Sequence, residues 1–401
     1  MKYLLLGGMM WVCSIAFAQP TPEPLTNALD SLISDASIVG GAAAIVKEGK
    51  VIYQHGFGWA NEAEQVAYTT QTRQPIASIS KTLIAISLMK AQEMDLLALD
   101  DPINQYLPFP ISHPGFPAQA ITVRQLANHT AGLKDSKYYQ KSYVFQRPIP
   151  ELHRSFSPGI KRAFIKRAIK RYNRNEEIPQ AEFLKRIYHP EGVWYHPKHF
   201  LKQAPGTTYE YSNNGAALAS LVIEQVSGLS YPDFVKQYLL NPLGMEHSGW
   251  EVDEKGYADG SFSRQYPFGL AVPPFRLITL ADGGFVTHLE DMNRYLIAMM
   301  AGDDGQGPLL QAESYQEMFT ASAGSSIGVF WDTNSLGQEN FLGHTGGDPG
   351  VTTILCWDRE RELGYLLLTN TSDTKTLNEE IGQFVRLLVQ HSRQWFPDEQ
   401  E

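Results

Sequence analysis

Strand-type runs lie near both ends of this chain, and helical patterns fill the stretch between them. Gly41–Val46 and Val51–Tyr53 are short β-prone runs, and Glu48-Gly49-Lys50 between them has the chemistry of a hairpin turn. Gly56–Ala60 extends the second run. Near the other end, Thr352–Trp357 and Tyr365–Thr369 are apolar runs separated by the charged turn Asp358–Glu362. The amphipathic stretch Leu377–Gln390 then closes the chain as a helix. Strands must bury an apolar face against another layer. The expected fold is therefore α/β of the α+β type, an antiparallel sheet flanked by helices and built from both termini. Its parts are residues 19–75 and 265–395, with a mostly helical domain inserted over 76–264 and the active site between them.

Within the insertion, Thr82–Met94 is apolar on most faces, which describes a buried helix. Just before it stands Ser78-Ile79-Ser80-Lys81. A serine hydroxyl is a poor nucleophile at neutral pH and needs a base within hydrogen-bond reach. Three residues on along a helix is the next turn of the same face. Lys81 can therefore sit beside Ser78, and a partly desolvated lysine amine sheds its proton more readily than one in water. A helix starting here also offers backbone N–H groups next to Ser78. Two further short motifs follow in order, Tyr211-Ser212-Asn213 and His344-Thr345-Gly346. Each is weak alone, and together they describe one site built on an activated serine.

The first residues read as an export signal. Lys2 is a positive start, Tyr3 through Phe17 is apolar, and Ala16-Phe17-Ala18 is a small-x-small cleavage site. Residues 1–18 are thus expected to be a signal peptide cleaved near Ala18, with the mature protein periplasmic or extracellular. Lipidation at Cys13 wants a small residue before it, and Val12 is not small. After cleavage Cys356 stands alone in an apolar run, where it reads as a buried small hydrophobe. The formal net charge of -10 argues against nucleic acid as a partner.

Against that acidic balance, residues 134–202 carry 16 Lys+Arg and 6 Asp+Glu. Inside this basic insertion, Ile160–Arg174 has a helical pattern. Ile160, Phe164, Ile165, Ala168, Ile169 and Tyr172 share one half of the wheel, and Arg162, Lys166, Arg167, Lys170 and Arg174 the other. Such a helix can lie on an anionic cell-envelope surface, cover a pocket as a lid, or present a solvated basic face while packing on the body. His189, His196 and His199 also cluster, but Pro190, Gly192 and Pro197 break any helix that would align them for zinc.

Taken with their flanks, the motifs resemble the serine β-lactamase-like, penicillin-recognising hydrolases. The branch is that of class C β-lactamases, D-Ala-D-Ala carboxypeptidases, D-aminopeptidases and related esterases. The resemblance runs from about residue 30 to about 390. It includes Leu99-Asp100-Asp101-Pro102, Ile121 to Leu126, His129-Thr130-Ala131-Gly132-Leu133, Pro205-Gly206, Asn241 to Met245 and Gly343 to Gly347. It implies that Ser78 is acylated, with Lys81 and Tyr211 sharing proton transfer. It further implies that Asn213, His344 and Gly346 bind substrate, and that the backbone N–H groups of Ser78 and Gly347 form the oxyanion hole. His129 reads as structural. No cofactor or metal is implied, and the partner is a small ester, amide or peptide. One departure stands out: the lysine that opens the third motif of familiar β-lactamases is His344 here, which weakens the case for a substrate with a free carboxylate. The alternative is a non-catalytic or very slow penicillin- or cell-wall-peptide-binding protein on the same fold.

Overall fold

The computed structural model describes residues 21–35, 37–150, 162–252, 256–257, 260–322, 324–372 and 375–397. The leader at 1–18, with Cys13, lies outside the described residues, as do Ile160 and Lys161. The elements that position the site are these. Helix α1 is Glu23–Asp35, β1 is Gly40–Lys47, β2 is Lys50–Asn61 and α2 is Ser80–Glu93. Strand β3 is Tyr143–Phe145, α3 is Arg162–Tyr172, α4 is Asn213–Ser227, β4 is Phe275–Leu277 and α5 is Leu289–Asp303. The last four are β5 Phe341–Asp348, β6 Val351–Asp358, β7 Leu363–Thr369 and α6 Lys375–Trp395.

The terminal strands do pair. One six-stranded sheet runs in the order Val66–Ala67, β2, β1, β7, β6, β5, and all its pairings are antiparallel. Strand β1 joins the two halves of the sequence, with Gly41 opposite Thr369 and Lys47 opposite Leu363. The β1–β2 turn holds Glu48 and Gly49 at φ of 49° and 70°, the two positive angles of a hairpin turn whose twist suits the strands.

Side chains alternate across this sheet with a period of two. Ala43, Ile45, Ile354, Cys356 and Leu367 face α1 and α6, where they pack with Leu25, Leu29, Phe384 and Leu388. Ala42, Ala44, Val46, Leu355, Leu366 and Leu368 face the main core, which α2, α4 and α5 fill. Both faces are covered, so the strands read as nearly continuous apolar runs rather than alternating ones. Helix α2 is buried from Ser80 through Met89, which makes its N-terminal end a rigid platform. Strand β5 is the sheet edge, and that edge faces the site. Cys356 is buried and desolvation raises its thiol pKa, as suits an inert core cysteine.

Candidate active site

Ser78 sits in a single 3-10 turn, Ala77–Ile79, that feeds directly into α2. Ala77 holds φ at 49°, a left-handed angle that costs energy for any residue with a Cβ. Its surroundings hold it there. The Ile76 N–H donates to Phe285 O at 2.9 Å, the Thr353 hydroxyl to Ile76 O at 2.8 Å, and the Ser80 hydroxyl to Ala77 O at 2.6 Å. The serine is thus presented from a strained turn braced by the sheet and by the segment after β4.

Lys81, one turn further along, is fully buried. Its ammonium reaches Ser78 Oγ at 3.0 Å, Asn213 Oδ1 at 2.7 Å and the Asp282 backbone carbonyl at 2.6 Å. Three donors meet three acceptors, so the lysine head has one orientation. The Tyr211 hydroxyl donates to the same Ser78 Oγ at 2.8 Å. Lys81 Nζ also lies 5.0 Å from the Tyr211 ring centroid. The nucleophile therefore has a lysine on one side and a phenol on the other.

Tyr211 and Asn213 are held by two groups. His129 packs its ring 4.6 Å from that of Tyr211, and its Nδ1 accepts the Ser212 N–H at 3.3 Å. Burial, with Lys81 nearby, keeps that imidazole neutral, its pKa well below the usual histidine value. Asp135 supports the N-terminus of α4, whose N-cap is Ser212. Its carboxylate accepts the backbone N–H of Asn213 at 2.9 Å and of Asn214 at 3.0 Å, and the Ser212 hydroxyl at 3.0 Å. It also accepts the Asn213 side-chain amide at 2.8 Å, which turns the amide oxygen toward Lys81.

The third motif lies on β5. Gly346 packs against the nucleophile turn so closely that a Cβ there would come within 2.5 Å of Ile76 O. At Gly347 a Cβ would meet nothing within 4 Å, so the edge beside the serine is open. His344 donates from Nδ1 to Thr345 O at 2.6 Å, which leaves Nε2 as an acceptor. Burial first, and the Lys81 charge second, push its pKa down to about 4, so at pH 7 it is a neutral group. It lines a pocket of about 320 Å³ with Tyr209, Tyr211 and Phe330.

The family model described as Beta-lactamase matches residues 25–390. The chain belongs to the Beta-lactamase family. Penicillin-binding protein 4* of Bacillus subtilis is 25% identical over 349 residues, covering 81% of this chain and 67% of its own. Among solved structures, the octameric penicillin-binding protein homologue from Pyrococcus abyssi aligns with a TM-score of 0.70 at 24% identity. It covers 92% of this chain and 77% of that one. The D-amino acid amidase from Ochrobactrum anthropi SV3 aligns with a TM-score of 0.63 at 21% identity, covering 92% and 99%. The last two show the fold.

All the residues that the sequence motifs single out converge in this Beta-lactamase-family chain: Ser78, Lys81, Tyr211 and Asn213 in one hydrogen-bonded cluster, with His344, Gly346 and Gly347 along the adjoining strand edge. Two residues were not anticipated. Asp135 orders the second motif, and its signal was its being the sole aspartate in the basic stretch 134–202. Asp282 takes Lys81 on its backbone carbonyl and buries its own carboxyl behind the lysine. No composition or spacing pattern marks it. The clustered histidines do not converge on one point: His189 and His196 each accept a nearby backbone N–H. Among the described residues no group of three or more His, Cys, Asp or Glu is placed to hold a metal.

Proposed function

We propose that the chain is a serine hydrolase that cleaves an ester or amide through an acyl-enzyme on Ser78. One observation carries the reading: Ser78 Oγ lies 3.0 Å from Lys81 Nζ and 2.8 Å from the Tyr211 hydroxyl, both within reach for proton transfer. In this reading the Lys81–Tyr211 pair has first given up one proton, and Oγ then attacks the substrate carbonyl while its own proton passes to that pair. The developing oxyanion is held by the Ser78 and Gly347 N–H groups, worth about 2.7–4 kcal/mol for each such donor. The pair then protonates the leaving group. Finally it takes a proton from water, whose oxygen attacks the acyl carbonyl, and hands that proton to Oγ as the acyl–Oγ bond breaks, which restores the Ser78 hydroxyl.

Neutral His344 supports substrates without a carboxylate at the third motif, so esters and D-amino-acid amides rank ahead of β-lactams. The shared fold with a D-amino acid amidase supports including such amides in the screen. The proposed setting is the periplasm or the exterior, on the strength of the leader at 1–18.

The test is hydrolysis of p-nitrophenyl acetate by the purified mature protein beside Ser78→Ala. Turnover lost in the variant, with an unchanged melting curve, is the expected result. Equal turnover in both proteins overturns the proposal. Stoichiometric labelling of Ser78 by a covalent serine probe without turnover assigns the chain to the binding-protein alternative.

A further inference from the structure

Two pockets meet along strand β5, and Thr345 and Leu336 line both. The first is the small aromatic pocket at His344. The second is a cleft of about 1120 Å³ bounded by the Thr345–Asp348 edge on one side and by α3 and β3 on the other. Helix α3 turns Ile165, Ala168, Ile169 and Tyr172 into this cleft, while Lys166, Arg167 and Lys170 are exposed. The apolar stripe of the basic insertion is therefore a wall facing the strand edge that carries the third motif.

That wall is preformed. The Tyr172 ring lies 5.8 Å from Tyr143 and 5.6 Å from Phe145, and its hydroxyl donates to Gln140 Oε1 at 2.5 Å. Asn173 exchanges two hydrogen bonds with the Ile149 backbone, at 2.8 and 3.0 Å. Asn175 donates to the carbonyls of Gln140 and Tyr143, both at 2.8 Å. The charged groups at the cleft are already engaged: Asp348 accepts the Tyr143 hydroxyl, and Arg171 lies over the Tyr172 ring and donates to Gln140. What the cleft offers a ligand is mostly apolar surface, in a volume at or above the usual range of about 300–1,000 Å³ for ligand sites.

We infer, resting on the hydrolase reading, that the substrate presents a large uncharged apolar group, a long alkyl chain or an aryl group, to the cleft between α3 and β5. The smaller part of the substrate then occupies the pocket at His344. Each CH₂ buried there raises kcat/KM by about fourfold.

The test is two ester series, p-nitrophenyl acetate to octanoate on the acyl side and methyl to octyl acetate on the alcohol side. Both are assayed with the native protein and with Ala168→Trp, which fills the cleft. The expected result is a rise of tenfold or more along one series, abolished in Ala168→Trp, whose melting curve matches that of the native protein. Ile169→Ser, which widens the cleft, should weaken the rise without removing it. Flat profiles on both sides, or a rise that Ala168→Trp leaves intact, overturn the inference while the hydrolase reading stands. If no ester shows Ser78-dependent turnover, that reading fails, and calorimetry on Ser78→Ala decides the cleft separately. Octanamide binding at least tenfold tighter than acetamide, and lost on adding Ala168→Trp, supports the apolar site. Equal binding of the two amides overturns it.

Discussion

Asp135 accepts both the backbone N–H and the side-chain amide of Asn213 on one carboxylate oxygen, at 2.9 and 2.8 Å. The same carboxylate therefore takes two N–H groups at the start of helix α4, beside the Gly215 N–H held by the N-cap Ser212, and aims the Asn213 oxygen at Lys81. Helix start and catalytic geometry share this side chain. Asp135→Ala should lower stability by about 2 kcal/mol, since two helix-start N–H groups lose their acceptor, a loss of the size of a missing cap at ~0.5–2, and charge-assisted hydrogen bonds go with it. It should also lower kcat/KM by roughly 100-fold, because a displacement of about 1 Å at a reacting group has that effect. Urea unfolding and ester kinetics on the same sample check both. A stability loss without an activity loss would show that Asn213 holds its place unaided.

Asp282 gives a pH signature. Burial raises its carboxyl pKa from 3.8 to about 7, although the Lys81 charge pulls the other way. Between those values the folded chain holds a proton that the unfolded chain has released. Stability contributed by this group therefore falls as pH rises from about 4 to about 7, and is lowest above 7. Asp282→Asn has no such titration. Its melting temperature relative to the native protein should be higher at pH 8 than at pH 5, read by thermal unfolding at both. A difference of the opposite sign would mean that the ionised carboxylate and Lys81 stabilise the fold as a pair. The pH profile of kcat/KM should also lose an inflection near 7 in Asp282→Asn.

Much of this fold and site is legible in the chain, for physical reasons that particular residues show. The β1–β2 hairpin turn follows from Gly49, because the turn between these strands holds positive φ at two positions and glycine takes that angle at no steric cost. The burial of α2 follows from its lack of a polar face. Lys81 beside Ser78 follows from helical spacing. Asp135, by contrast, acts on a segment 78 residues away, and a contact of that range leaves no periodic trace. Asp282 meets Lys81 through its backbone carbonyl, a group every residue has. Helix α3 was legible as amphipathic, yet only the pairing of β3 with β4 and the cleft beyond it show where its apolar stripe points.

His344 explains why a carboxylate has no cation to meet at the third motif. Its pKa of about 4 leaves it neutral through the working range, and the Lys81 charge that helps depress it would also oppose a second cation nearby. His344→Lys should speed acylation of Ser78 by benzylpenicillin about tenfold, a gain limited by that repulsion. Turnover of a neutral short ester should change by less than threefold. Stopped acylation time courses, read by intact-protein mass, measure the first, and ester assays the second. No gain with benzylpenicillin would show that the carboxylate is not read at position 344.

Neighbouring glycines in the third motif should behave differently. At Gly346 an added Cβ would lie 2.3 Å from Thr353 Oγ1, 2.5 Å from Ile76 O and 3.1 Å from Ala77 Cβ. Those atoms belong to the strained turn that carries Ser78 and to the hydroxyl that braces it, so they cannot yield without moving the nucleophile. Gly346→Ala should cost about 1–3 kcal/mol of stability, as overpacking does, and most of the activity with it. At Gly347 nothing lies within 4 Å of the added Cβ, and the backbone is not in the left-handed region. Gly347→Ala should keep its stability within about 0.5 kcal/mol. Any activity it loses is then lost to a methyl group standing where the substrate lies, and the loss should grow with substrate bulk. Parallel urea curves and kcat/KM for a small and a large ester separate the two cases. Equal destabilisation by both alanines would contradict the packing described for this edge.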